Sequence, residues 1–402
     1  MLHRINNNKA RTLMNPIPFS APALSGTLAR KIAQMTCISM FGLLLACNDK
    51  STESASSSDA AAVQNTNGEK FELKLAETWQ PNFPIFGDTP QRLAENVEKM
   101  SGGRLTIKID SANKHKSPFG VFDMVKSGQY DMGHSASYYW KGKIPTSMYF
   151  TTMPFGMIAP EQYAWFYYGD GMKLMQEVYD EHGVLSFPGG NTSNQMGGWF
   201  QKEINSVEDL KGLKMRIPGF AGEVLAKLGV SVTNIAPGEL YTSLERGTID
   251  ALEWVGPALD LRMGFQKIAP YYYTGWHEPA TELQFLINKQ AMDKLPEDLQ
   301  AILKIAMREA AYNMYVHSYA ESAESWASIQ EEYPEVKIKT FPPEVMEAMR
   351  QANQELLEEE AKNNPMAKKI QESQAEFLRK ARGWTEISDF AYLKSQEEAK
   401  AE

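Results

Sequence analysis

Ser206-Val207-Glu208-Asp209-Leu210-Lys211-Gly212-Leu213-Lys214-Met215-Arg216-Ile217-Pro218 is the stretch on which the fold turns. A capping-type serine opens it, Gly212 breaks it, and Lys214 to Ile217 reads as a strand carrying an arginine near its end. The alternation repeats downstream. Ala221 to Leu228 is helical and stops at Gly229, Val230-Ser231-Val232 is extended, Pro237 to Arg246 is a helix, and Thr248 to Trp254 is another strand.

An earlier run has the same character. Phe71 to Ala76 alternates as a strand should, and Pro90 to Met100 is a helix with Leu93, Val97 and Met100 on one face. Ser101-Gly102-Gly103 stops it before the strand Leu105 to Ile109. Phe119 to Ser127 is helical, and Tyr130 to His134 is a short strand. Two runs of strand–helix alternation predict an α/β layer structure. Tyr271 to Thr274 and Leu283 to Asn288 read as extended segments. Beyond Leu295 the pattern changes to long amphipathic helices, Pro296 to Tyr333 and Pro343 to Arg382, with Pro365 expected to kink or interrupt the second. The charge-rich stretch Glu355 to Lys362 is read as a solvated face.

At 402 residues the chain can bury two cores. A net charge of -9, with no basic stripe, argues against nucleic acid. Both cysteines, Cys37 and Cys47, lie in the first 47 residues, so the rest of the chain offers no thiolate chemistry. Arg30-Lys31 precedes a short apolar run, Ile32 to Ala46, that suits a signal-peptide core better than a membrane span. Leu44-Leu45-Ala46-Cys47 resembles a bacterial lipobox with Cys47 as the lipidated residue, against the alternative of an ordinary signal peptide with an incidental cysteine. The 29 residues ahead of Arg30 fit a signal peptide poorly, which makes Met14 or Met35 an alternative start. Asn48 to Glu69 holds almost no large apolar residue and reads as a flexible tether.

The candidate chemistry sits in the middle of the chain. Asn194-Gln195-Met196-Gly197-Gly198-Trp199-Phe200, Arg216 and Leu252-Glu253-Trp254 supply an amide, a guanidinium, a carboxylate and large aromatics, with no obvious nucleophile. A guanidinium matches a carboxylate with two parallel hydrogen bonds, so the set points to a receptor for a small acid. Glu253 is also readable as a salt-bridge partner of Arg216, and Asn191 and Asn194 either as groups that bond the solute or, equally well, as turn formers. The six histidines show no close metal spacing, and no nucleophile elbow or phosphate loop is present.

The chain resembles the solute receptors of tripartite ATP-independent periplasmic (TRAP) transporters, nearest the branch that binds 2-oxo acids and related monocarboxylates such as pyruvate or lactate. The resemblance covers about Phe71 to Trp384. It rests on Tyr130-Asp131-Met132-Gly133, Tyr138-Tyr139-Trp140, Pro154-Phe155-Gly156, the Gln195 to Phe200 block, Ser206 to Arg216, and Gly247-Thr248-Ile249-Asp250-Ala251-Leu252-Glu253-Trp254. It implies a two-lobed, periplasmic-binding-protein-like (type II) fold with the ligand in the cleft and long C-terminal helices. The expected division is a signal region over 1–46, lipidated Cys47 and tether over 47–69, lobe I over 70–192 and lobe II over 193–283. A return to lobe I with connecting helices follows over 284–342, then a long C-terminal helix and tail over 343–402. The lobe crossings are expected around Gly197 and Leu283.

The resemblance also assigns roles. Arg216 would clamp the solute carboxylate. A bridging cation, sodium or calcium, would take the Gln195 side chain, the Glu253 carboxylate and the Trp254 backbone carbonyl, while Trp254, Tyr138 and Tyr139 would wall the solute. The implied partners are a small organic acid, the TRAP permease subunits, the membrane through the lipid anchor, and a second copy through the C-terminal helix. The expectation is therefore a periplasmic receptor rather than an enzyme. Its rivals are a receptor for a dicarboxylate or sugar acid, and a metal-dependent exported enzyme using Glu253.

Overall fold

The computed structural model describes residues 68–401. The signal region, Cys47 and almost all of the tether lie outside them. The described strands are β1 (Phe71–Glu77), β2 (Leu105–Asp110), β3 (Met132–Ser135), β4 (Val184–Asn191), β5 (Gly198–Phe200), β6 (Lys214–Arg216), β7 (Ser231–Thr233), β8 (Ala251–Leu252), β9 (Tyr271–Tyr273), β10 (Glu282–Asn288) and β11 (Lys337–Lys339). They form two sheets, ordered β2-β1-β3-β10-β4 and β11-β9-β5-β8-β6-β7.

Each sheet has a parallel part built by strand–helix alternation and antiparallel strands beside it. In the first, β1 runs parallel to β2 and β3, while β10 is antiparallel to β3 and β4. In the second, β6 is parallel to β7 and β8, and β5 is antiparallel to β8 and β9. Parallel neighbours need a crossover, and the helices Asp88–Met100 and Gly219–Lys227 supply it. Leu93 and Val97 of the first of these helices are fully buried with Leu75, Phe285, Leu299 and Leu303. Each such side chain contributes roughly 1.5–3 kcal/mol by leaving water.

The chain passes between the sheets after β4, through 192–197, and returns through 274–281 before β10. Gly197 therefore lies on a crossing as expected. The return crossing ends at 281, just before Leu283, which already pairs with Gly190 inside the first sheet. The two crossings touch backbone to backbone. A Cβ on Gly197 would stand 2.5 Å from the Thr274 carbonyl oxygen, and one on Gly275 would collide with the Gln195 carbonyl oxygen.

Several expected elements are shorter or differently built. Val207–Leu210 is a 3₁₀ turn held by Asp209, whose Oδ2 accepts the Ser206 and Asn205 amides at 2.9 Å. The strand expected over Thr248 to Trp254 reduces to Ala251–Leu252, although the Asp250 and Glu253 amides on either side still donate to the Lys214 and Arg216 carbonyls. Pro365 ends one helix and starts the next: Pro343–Asn363 and Pro365–Thr385 meet at Asn364, whose side chain caps the second through the Met366 and Ala367 amides.

The long helices brace both halves. Glu297–Glu332, 36 residues long, packs on β4 and on the helices Asp88–Met100 and Pro257–Met263. Pro343–Asn363 lies against Gly219–Lys227, and Pro365–Thr385 against the helices Ala159–Tyr168 and Gly171–Asp180. Arg382 forks onto buried Glu161 at 2.9 Å and also donates to the Gly156 carbonyl at 3.0 Å. No helix among the described residues is long and apolar enough to cross a membrane.

Candidate functional site

Arg216 ends β6 and is 1% exposed, an unusual position for a guanidinium. Parallel pairing sets it opposite Leu252, so the residue after β8 meets it directly. Its Nη1 donates to the Glu253 carbonyl oxygen at 2.5 Å and to Glu253 Oε2 at 3.2 Å, and its Nε donates to the Ile235 carbonyl at 3.4 Å. Nη2 is buried without a partner. The Trp254 ring lies beside the guanidinium, 5.4 Å from its carbon to the ring centroid, and packs against Phe83 and Phe86.

The ion pair between Arg216 and Glu253 is therefore present, but it does not satisfy either group. Glu253 Oε1 is buried without a donor, and so is Gln195 Oε1. Gln195 is fixed on its crossing by its other atoms: Nε2 donates to Thr192 Oγ1 at 2.8 Å, and its amide donates to the Glu278 carbonyl at 2.9 Å. Met196, next in the chain, donates its amide to the Val255 carbonyl at 2.9 Å. These bonds tie the Gln195 crossing to the turn that carries Glu253 and Trp254.

The return crossing adds two groups that the sequence did not single out. His277 and Glu278 are fully or almost fully buried, and each brings a ligand atom within 4.8 Å of one another and of Glu253. His277 Nε2 is 3.5 Å from Glu253 Oε1, and neither ring nitrogen has a hydrogen-bond partner. Glu278 Oε2 accepts the Thr281 hydroxyl at 2.5 Å. Adjacent residues on a chain crossing carry no spacing signal; they enter the site because 274–281 folds back over 192–197.

Burial dominates the electrostatics. It pushes the Glu253 carboxyl up to about 8, opposed by Arg216 and reinforced by Asp260. It pushes Glu278 up to about 7, with Glu253 adding to the rise, and drives His277 down to about 4. One guanidinium thus faces two carboxyl groups in a dry site, a set short of positive charge. Among the described residues, Arg216 is the only buried lysine or arginine.

Tyr138 and Tyr139 come from the first half of the chain, in the 3₁₀ turn Ser137–Trp140. Their rings pack edge to face at 4.8 Å, and Tyr139 also packs on Phe119. Burial is the main influence on both hydroxyls, raising Tyr139 to about 12, and both sense the charges of Arg216, Glu253 and Glu278. Asn191 lies outside this set: its amide bonds Gln162 and Glu282. The structure thus brings Arg216, Glu253 and Trp254 into contact and ties the Gln195 crossing to their turn, while Tyr138 and Tyr139 join this set through the charges they sense. It leaves Gln195 Oε1, Glu253 Oε1 and Arg216 Nη2 buried without partners. Oxygen acceptors of this kind fit a hard cation, and the free guanidinium edge fits a carboxylate.

Comparison with known proteins identifies the family. Residues 75–364 match the family described as bacterial extracellular solute-binding protein, family 7 (DctP). The monocarboxylate 2-oxoacid-binding periplasmic protein of Nostoc sp. is 36% identical over 342 residues, covering 85% of this chain and 92% of that one. A TRAP periplasmic solute-binding protein from Colwellia psychrerythraea, solved with bound calcium and pyruvate, is 66% identical with a TM-score of 0.81, covering 81% of this chain and 100% of that one. One from Pseudoalteromonas atlantica, solved with bound sodium and pyruvate, is 67% identical with a TM-score of 0.80, covering 81% and 99%. The chain belongs to family 7 of the bacterial extracellular solute-binding proteins, the periplasmic receptors of TRAP transporters.

Proposed function

We propose that this receptor captures pyruvate or a closely similar 2-oxo monocarboxylate together with a calcium or sodium ion, and presents it to a TRAP permease. The observation that carries the reading is the set of buried, unpartnered atoms: Gln195 Oε1, Glu253 Oε1 and Arg216 Nη2. Such atoms are destabilising unless a ligand completes them. Arg216 clamps the solute carboxylate, and Tyr138, Tyr139 and Trp254 wall it. Gln195, Glu253 and the Trp254 carbonyl hold the cation, which supplies the positive charge that Arg216 alone cannot. The single buried guanidinium favours a monocarboxylate over a dicarboxylate, which would call for a second cationic anchor.

The role is capture rather than catalysis, a reading supported by the family and testable by following candidate acids for product by NMR. Calorimetric titration of pyruvate into protein stripped of divalent ions, in a sodium-free buffer, checks the binding reading. Affinity is expected to fall at least about tenfold and to return with calcium or sodium. Unchanged affinity would refute the cation.

Two further assignments complete the proposal. Cys47, outside the described residues, anchors the receptor to the membrane by lipidation, and Cys47→Ser would release it into the soluble fraction. The C-terminal helices pair with a second copy, a reading supported by the exposure of Trp384 (67%), Ile387 (73%) and Phe390 (59%).

A further inference from the structure

Asp260 sits in the first turn of the helix Pro257–Met263 and is 1% exposed. Its one link to the groups assigned to solute or cation is the N–H of the Trp254–Val255 peptide, whose carbonyl is assigned to the cation. Its carboxylate accepts hydrogen bonds from three separate segments. Oδ1 takes the Val255 amide at 3.0 Å, while Oδ2 takes the Trp199 indole N–H at 3.0 Å and the Tyr272 hydroxyl at 2.8 Å. Two of these donors are themselves locked, since the Trp199 and Tyr272 rings stack at 4.0 Å. The groups that stabilise the charge are neutral donors, with no cation among them.

Val255 is consequently held at both ends. Its N–H is on Asp260 and its carbonyl accepts from Met196, the neighbour of Gln195. The turn Glu253–Val255 is thus stretched between a buried carboxylate and the crossing that carries Gln195. A buried charge without a counter-ion is costly, and hydrophobic packing in this core could be had without one. A cation nearby would give the charge a use.

We propose that Asp260 is a positioning residue for the cation seat: it fixes the Glu253–Val255 turn at a set spacing from Gln195, and its unpaired negative charge draws the cation in without touching it. The inference rests on the cation seat proposed above. Three donors aimed at the two Asp260 oxygens suit the acceptor-only ionised form, and the Asp260 field already reaches Glu253.

The two parts of the role respond differently to substitution. A charge acts on a cation in proportion to valence, whereas a misplaced turn weakens any cation. In Asp260→Asn the lost charge adds, on top of any common factor from the moved turn, an n-fold loss for sodium and roughly an n-squared loss for calcium, for instance about threefold against about tenfold. In Asp260→Glu the charge is kept close to its place while the extra methylene shifts the turn, so the loss of position dominates and both affinities fall by about the same factor.

The experiment is calorimetric titration of sodium chloride and of calcium chloride into wild type, Asp260→Asn and Asp260→Glu at a fixed pyruvate concentration. Equal losses for the two cations in the asparagine variant, or no loss, overturn the proposal. Unchanged affinities or a shifted calcium-to-sodium ratio in the glutamate variant overturn it as well, and this arm stands even if the asparagine variant fails to fold. A wild-type protein whose pyruvate uptake ignores both cations sinks the seat itself, a failure visible before any variant is made.

Discussion

Arg216 shows how far a single residue can be read from its surroundings. The family resemblance implied a carboxylate clamp for it, and the alternative was a salt bridge to Glu253. The structure contains that salt bridge, yet leaves Nη2 and Glu253 Oε1 unsatisfied. The two readings therefore describe one guanidinium shared between a protein carboxylate and a proposed solute carboxylate. A lysine offers a point charge without a fork. Arg216→Lys is expected to raise the pyruvate Kd at least about 100-fold, the loss of two charge-assisted bonds, while circular dichroism stays native. A change of only a few-fold would remove Arg216 from the clamp. His277 and Glu278 were illegible because nothing in a His-Glu dipeptide reveals that it will face Glu253; only the folded crossing does.

At the scale of elements, regular alternation was what the sequence made readable. The strand–helix runs at Phe71–Ser135 and Lys214–Leu252 were expected, with ends displaced by a few residues. Ala159–Tyr168 was missed because Trp165, Phe166, Tyr167 and Tyr168 leave it without a 3.6-residue pattern, its inward face being set by the C-terminal helices. β4 was missed because Pro188, Gly189 and Gly190 interrupt the strand pattern; it lies at the edge of its sheet, where a proline is tolerated, and Gly190 takes a φ of 133° beside Met314. The crossings are the elements most open to test. Gly275→Ala must push the return crossing off the Gln195 carbonyl, with an expected loss of about 1–3 kcal/mol in stability and weaker pyruvate binding. Thermal denaturation and calorimetry on that variant check both, and native values for both would mean the crossings are looser than their backbone contact implies.

For the whole molecule, buried carboxyls set the response to pH. Burial raises Glu77 to about 7 and Glu282 to about 8, from an ordinary value of 4.5. Each holds its proton more tightly folded than unfolded. The stability each contributes is thus complete below about pH 4.5 and is lost as pH rises through about 7 and 8 respectively. The ligand-free protein should melt at progressively lower temperature from pH 5 to pH 8. Glu282→Gln should flatten that decline, and a flat wild-type profile would contradict it. The 36-residue helix Glu297–Glu332 has a mechanical consequence. It is an unbroken rod of about 54 Å that packs on β4 in one half and on Pro257–Met263 in the other, where Arg262 meets Glu321 at 2.9 Å. On the proposed capture of a solute between the halves, any opening would work against these contacts, and the dwell time of a trapped solute would be partly written into residues that never see it.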